Sequence, residues 1–272
     1  MRRQEKTREE AMNIQSVLDY VQDKSGHPLY ADEGLMQGDP GRKIAKLFFC
    51  WMADASAIKT AVSKGCSHIV AHESVFHPNG AYEQERVLGE WSHWEVNRRR
   101  LELLKQHKIV LTHVHGSMDD ITILDCCAEL LGLGTPVVSK PNWVKIYEIP
   151  PIGIASLVDR VKKAVRMDRL RVAIPEGFNG PVHRVGLPWG GMGLFVNTGY
   201  LQSLIAEKAD VLIGGETDTF GFRFATEIGI PYIETGHEVT ENTGIRRFAD
   251  MVRNDLGIET VYHHMQTAWT VM

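Results

Sequence analysis

Apolar positions along this chain alternate between helical and strand spacing. Ile14, Val17, Leu18 and Val21 recur every three to four residues, and Gly26 ends that stripe. KLFFCWM, inside 44–52, is too apolar and bulky for an exposed segment and reads as a buried strand. Asp54 can cap a helix running to Lys64, with Gly65 as its stop, and 68–71 reads as the next strand. A long helical pattern over 83–106 breaks near Gly89, Trp91 or Trp94, and 109–115 is strand-like before an apolar helix, ITILDCCAELLGL. The stretch from Pro136 to Pro151 reads as a loop. Helix 155–166, strands 169–174 and 183–187, the glycine turn WGGMG, helix 199–208, strand 210–214, helix 220–228 and strand 230–234 follow. Ile245, Phe248, Ala249, Val252 and Leu256 make one apolar stripe of a terminal helix, and 258–263 closes the chain as a strand. Helices alternating with strands predict an α/β fold.

KGCSHIVAHES (64–74) resembles KADVLIGGET (208–217) once one residue is skipped. His72 then falls on Gly215 and Glu73 on Glu216. The match predicts an internal duplication into two α/β halves, although any buried strand after a helix shares some of this pattern.

Composition narrows the class. The 272 residues carry 30 basic and 34 acidic side chains, a net charge of −4, so no face is forced toward nucleic acid or an anionic membrane. Arg98-Arg99-Arg100 is the densest basic run and reads first as a solvated helix face, with a phosphate contact as the alternative. No apolar stretch approaches the roughly 20 residues of a membrane span, and the charged MRRQEKTREE lacks the apolar run of a secretory signal. Cys50, Cys66, Cys126 and Cys127 sit in apolar surroundings without a CxxC pair and read as small reduced hydrophobes. The expectation is a cytoplasmic protein.

Three predicted strand ends release ligand-type side chains. The first is His72-Glu73, with His77 near enough in sequence to enter the same cleft. HGSMD then sets His115 and Asp119 four apart, and GHEVTE does the same for His237 and Glu241. Four-residue spacing on a helix stacks both groups on one face. Each pair alone also fits a surface ion pair or a helix cap. What separates the readings is that all three follow strands, where α/β folds place their sites. Imidazole and carboxylate together suit first-row divalent ions. Two histidines and three carboxylates carry a charge that two cations and a hydroxide come close to neutralising. His72 and His237 lie 165 residues apart, so the halves are expected to intertwine: 11–125 with 232–272 as the metal-site domain, and 126–231 as the second.

Several spaced motifs, in order, resemble one family. EGLMQGDP, the strand–helix–strand of WMADASAIKTAVSKGCSHIVAHESVFH, RRRLELLKQHKIVLTHVHGSMD, VGLPWGGMG, ADVLIGGE and ETGHEVTENTGIRRFADMVR are similar to the conserved segments of the Nif-three-like proteins. That is the dinuclear-metal-centre hexamer family, whose bacterial members are commonly labelled GTP cyclohydrolase 1 type 2. The resemblance implies a Nif-three-like fold of two α/β halves with mixed sheets, a homo-hexameric toroid, and two divalent cations (Mn, Fe or Zn). Its ligand positions fall on His72, Asp119, His237 and Glu241. Glu73 stands where the family pair has its second histidine, which favours harder ions such as manganese or iron(II).

The function so implied is a metal-dependent hydrolase acting on a small molecule, a nucleotide or related heterocycle. Glu216 and His115 are the candidates for proton transfer. His77, Gly191 in the glycine turn and Arg223 are the candidates for substrate contact. The alternative is a non-enzymatic metal-binding or regulatory toroidal scaffold.

Overall fold

Four short, mostly apolar strands are buried at every position because both of their faces are covered, the pattern of buried parallel sheets. In the computed structural model, which describes residues 12–76 and 90–270, these are β2 (Leu47–Cys50), β3 (His68–Ala71), β4 (Val110–His113) and β9 (Val211–Gly214), all of them buried throughout. The chain divides into two units, Met1–Ile121 with Ile245–His264, and Thr122–Gly244 with Met265–Met272.

The first unit holds a five-stranded sheet in the order β1-β4-β3-β2-β11, with β1 at Gly34–Gln37 and β11 at Thr260–Tyr262. Strands β4, β3, β2 and β11 are parallel, and β1 pairs antiparallel with β4. On one face Phe48, Ile69 and Leu111 pack with Ile58, Ala61 and Leu104 from helices Ala55–Ser63 and Glu95–Gln106. On the other, Phe49 meets Phe248 edge-on with ring centroids 5.9 Å apart, and Phe248 lies 6.2 Å from Tyr20 of helix Ile14–Ser25. The helix boundaries follow local chemistry. Asp54 Oδ1 accepts from the Ala57 amide at 2.7 Å, a cap worth about 1 kcal/mol. Gly26 and Gly65 take the left-handed backbone that ends each helix, at φ 75° and 71°.

The second unit holds a six-stranded sheet in the order β5-β6-β8-β9-β10-β7, with β5 at Val138–Lys140, β6 at Val144–Gly153, β7 at Arg171–Ala173, β8 at Pro181–Gly186 and β10 at Tyr232–Glu234. Helices Thr198–Ala206 and Thr219–Glu227 connect β8, β9 and β10, and Leu201, Leu204, Leu212, Ala225 and Tyr232 share its core.

Both units follow the same path. An edge strand (β1 or β7) is followed by three parallel strands with helical connections, and the edge strand pairs antiparallel with the third (β1 on β4, β7 on β10). Ala71 at the end of β3 corresponds to Gly214 at the end of β9. His72 therefore corresponds to Gly215 and Glu73 to Glu216, the pairing expected from sequence. The long helix His237–Leu256 begins in one unit and ends in the other, so the chain passes between them more than once.

Two elements differ from expectation. The stretch 136–151 is not a loop but a hairpin, β5 (Val138–Lys140) with β6 (Val144–Gly153). Pro150 and Pro151 hid it: their missing N–H groups fall where the β6–β8 register shifts, between Glu148 and Ile152, a place where a strand tolerates proline. Strand β1 is too short and polar to show an alternation. The basic run divides by face. Arg98 and Arg99 pair with Glu95 and Glu102 at the surface, while buried Arg100 donates to the Val75 carbonyl at 2.5 Å. All four cysteines are buried free thiols. Among the described residues no helix is long and apolar enough to cross a membrane.

Candidate metal centre

The parallel register of β3 and β4 sets Ala71 beside His113, so the residues just past each strand emerge together at the carboxyl edge of the first sheet. His72 leaves β3 fully buried, its Nδ1 3.3 Å from the Val114 carbonyl. Its Nε2 stands 4.0 Å from Asp119 Oδ1, and buried Glu73 places Oε1 3.8 Å from His115 Nε2. Donor atoms of His72, His115 and Asp119 all lie within 4.8 Å of one another. These gaps are too long for hydrogen bonds. They are close to the separation of two ligands on one cation, since bonds of about 2.0–2.2 Å allow at most about 4.4 Å between them.

Asp32 and Glu33 complete this cluster, and sequence reasoning passed over both. They reach it because β1 runs antiparallel to β4, with Gly34 opposite His113. Glu33 is fully buried and holds the HGSMD turn, accepting from the His115 and Ser117 amides at 2.7 and 2.8 Å, from Ser117 Oγ at 2.6 Å and from the Tyr30 amide at 2.9 Å. Asp32 Oδ2 lies 3.3 Å from His115 Nδ1, and the Asp32 carbonyl accepts from His113 Nδ1 at 2.9 Å. No periodicity marks these carboxylates. Only the long-range pairing of a strand that the pattern did not reveal brings them here.

The field in this cluster is negative. Burial pulls the His115 imidazole down, but the hydrogen bond to Asp32 and the charges of Glu73, Asp119 and Asp32 outweigh it and push the group up to about 10. Burial raises the Asp32 carboxyl, yet the His115 bond and the charges of His113 and His115 leave it below its ordinary value. The same carboxylates would attract a divalent cation, which would bind by displacing that proton.

In the second unit, His237 opens its helix one residue after Gly236, whose backbone is left-handed at φ 117°. Its Nδ1 lies 3.1 Å from Glu216 Oε2 and its Nε2 3.4 Å from buried Glu241 Oε1. The glycine turn packs on this face. Gly190 sits at φ 51°, and a Cβ there would stand 2.0 Å from Glu241 Oε1 and 3.1 Å from His237 Nε2. A Cβ on Gly191 would lie 3.1 Å from His237 Cε1. The Gly190 amide donates to Thr240 Oγ1 at 2.9 Å, and its carbonyl accepts from the Glu216 amide at 2.7 Å. The turn is glycine-rich because backbone must approach His237 and Glu241 closely.

The remaining candidates lie elsewhere. Arg223 is exposed on helix Thr219–Glu227 and lines a surface cavity of about 590 Å³ with Val172, Ile174, Pro175 and Phe222. His77 lies outside the described residues.

The family model for Duf34/NIF3 (NGG1p interacting factor 3) matches residues 10–268. The chain belongs to the Duf34/NIF3 family. A Neisseria meningitidis relative named "GTP cyclohydrolase 1 type 2 homolog" is 25% identical over 238 residues, 86% of this chain and 88% of the relative. A Methanocaldococcus jannaschii protein of the same name is 24% identical over 236 residues, 84% of this chain and 88% of that protein. The solved protein ybgI, of unknown function, aligns with a TM-score of 0.76 at 19% identity, over 94% of this chain and 99% of its own. Duf34/NIF3 membership and this likeness fix the fold expected from the sequence motifs, a mixed α/β chain with two mixed sheets.

Proposed function

We propose that this Duf34/NIF3 chain is a divalent-metal-dependent hydrolase whose ligands are His72, Glu73, Asp119, His237 and Glu241. The observation that carries the reading is the His72–Asp119–His115 group at the end of β3 and β4: buried His72 and Asp119 and half-buried His115, donors spaced for a shared cation rather than for hydrogen bonds. The donor chemistry fits first-row divalent ions, with the carboxylate share favouring manganese or iron(II) over zinc. A pair of cations, when bound, supplies Lewis acidity and a water acidified toward neutral pH.

The chain's own groups do the rest. Glu216 holds His237 by its Nδ1, fixing the tautomer that turns Nε2 toward Glu241. Glu33 anchors the amides of the turn that carries His115 and Asp119, so those side chains are set before a substrate arrives. Glu216 is about half exposed, and its carboxylate is therefore the group best placed to exchange a proton with an incoming substrate.

The names of the Neisseria and Methanocaldococcus relatives direct the substrate search to GTP and other nucleotides, and the resemblance implies a homo-hexamer. The test is metal analysis of protein purified without chelator, then a panel of nucleotides and phosphoesters with Mn²⁺. We expect metal to co-purify and at least one compound to be hydrolysed, with Asp119→Ala losing turnover while its circular dichroism is unchanged. Metal content without turnover on any compound would replace the hydrolase with a metal-binding scaffold.

A further inference from the structure

We propose that His115 is itself a metal ligand through Nε2, and that Asp32 is the positioning residue that holds it there by Nδ1. The inference rests on the metal-dependent reading above and adds two residues to it.

The argument starts from a repeated device. His237 has a carboxylate at Nδ1 (Glu216, 3.1 Å), and its Nε2 faces a buried carboxylate (Glu241, 3.4 Å). His115 has the same surroundings: Asp32 at Nδ1, 3.3 Å away, and buried Glu73 facing Nε2 at 3.8 Å. A carboxylate on one ring nitrogen makes that nitrogen the N–H donor and leaves the other a lone pair, which is how metal-binding histidines are oriented. The two carboxylates reach their histidines from unrelated places. Glu216 follows β9, whereas Asp32 precedes β1, so the likeness is not a by-product of the repeated topology.

Placement in the cluster supports the assignment. The donor atoms of His72, His115 and Asp119 stand within 4.8 Å of one another, so closing by a few tenths of an ångström brings all three onto one cation. The His115 ring also has little freedom. Its amide is held by Glu33, and it stacks on the His113 ring with centroids 5.6 Å apart and planes 18° from parallel. His113 in turn donates Nδ1–H to the Asp32 carbonyl, which pins the backbone of the orienting residue. A coordinated Nε2 has no lone pair for a proton. His115 is then a ligand rather than the proton-transfer group, a role left to Glu216.

The test measures binding, not turnover. Mn²⁺ affinity is read by calorimetry, and histidine nitrogens coupled to bound Mn²⁺ are counted by pulsed electron paramagnetic resonance, for the wild type, His72→Ala, His115→Ala, Asp32→Asn and the His115→Ala/Asp32→Asn double variant. We expect His115→Ala to lose at least about 100-fold in affinity together with one coupled nitrogen, and Asp32→Asn to lose about 10–100-fold. The double variant should bind no worse than His115→Ala alone, because Asp32 acts through the ring. If His115→Ala fails to fold, the nitrogen count of His115→Gln decides instead. Wild-type affinity and an unchanged nitrogen count in the folded His115 variant would overturn the proposal; if His72→Ala still abolished binding, the metal reading itself would stand. A wild-type protein that binds no Mn²⁺ would remove both.

Discussion

Gly190→Ala puts a methyl group where one hydrogen stood, yet the structure leaves no room for it. The new Cβ would stand 2.0 Å from Glu241 Oε1 and 3.1 Å from both Glu241 Cδ and His237 Nε2. Ordinary contact distances near 3.5 Å require the carboxylate oxygen to retreat by more than 1 Å. Glu241 is buried on a helix, so its carboxylate can leave only by turning away from His237. The alternative is for the turn to lift, breaking the bonds from the Gly190 amide to Thr240 and from the Glu216 amide to the Gly190 carbonyl, each worth about 0.5–1.5 kcal/mol. Alanine in left-handed backbone, at φ 51°, adds about 1–2 kcal/mol on either route. On the route that lifts the turn the sum is about 2–5 kcal/mol, a fall in melting temperature of roughly 4–20 °C for a chain of this size.

The assay compares thermal melts with and without Mn²⁺. A ligand at 100 times its dissociation constant stabilises by about 2.7 kcal/mol, so wild type should melt several degrees higher with the metal. Gly190→Ala should begin lower and lose most of that rise, because the substitution displaces a ligand. Gly199→Ala is the control: nothing lies within 4 Å of a Cβ there, and its backbone is not left-handed. It should melt at or slightly above wild type. If Gly190→Ala matched wild type in both conditions, the glycine turn would not be needed for the His237–Glu241 approach and the packing argument would fail.

Three other outcomes follow from the same geometry. Arg171→Ala leaves buried Glu234, now paired at 2.8 Å with an arginine that is itself half exposed, with only the Thr217 amide at 3.0 Å among the described residues, and should cost about 1–2 kcal/mol at neutral pH. Burial already raises the Glu234 carboxyl against the pull of Arg171, so removing the arginine raises it further. A native state that binds the proton more tightly is favoured as pH falls, so the deficit should be full at pH 7 and shrink as pH drops through the raised Glu234 value; melts across pH check this, and a pH-independent deficit refutes it. Glu73→His should raise zinc occupancy relative to manganese in competition experiments, and an unchanged preference would count against the ligand-softness argument. The buried thiols Cys50 and Cys127, both pushed well up by burial, should stay unreactive toward a disulfide reagent until the chain unfolds, and rapid labelling of native protein would contradict their placement.

Where the sequence carried its own local signal, the fold was legible. Asp54, Gly26 and Gly65 announced helix ends through chemistry confined to a few residues, and β2, β3 and β9 announced themselves through unbroken apolar runs. The β5–β6 hairpin was not legible, because two prolines within β6 outweigh a weak alternation and only the register shift against β8 explains their presence. The candidate site divides in the same way. His72, Glu73, Asp119, His237 and Glu241 could be picked out because each follows a strand or shares a helical spacing. Asp32 and Glu33 could not, since their position depends on β1 crossing beside β4, a pairing some eighty residues apart in the chain.

The repeated topology explains why the two strand ends differ. His72 and Gly215 occupy the same place after β3 and β9, yet one bears an imidazole and the other nothing. At Gly215 a Cβ would lie 2.4 Å from the Gly190 carbonyl oxygen and 2.6 Å from its amide nitrogen, so the side chain was given up to admit the glycine turn. That turn, in exchange, reaches Glu216 and packs against His237 and Glu241. The first unit uses the position for an imidazole, and the second uses it for the backbone that packs on His237 and Glu241. Restoring a side chain by Gly215→Ala should therefore damage the His237–Glu241 group without touching it. Melting and Mn²⁺ stabilisation should fall as they do for Gly190→Ala, and because both substitutions displace the same turn, the double variant should fall short of the sum of the two. Full additivity in that cycle would mean the two glycines act on separate structures and that the turn does not couple β9 to the histidine face.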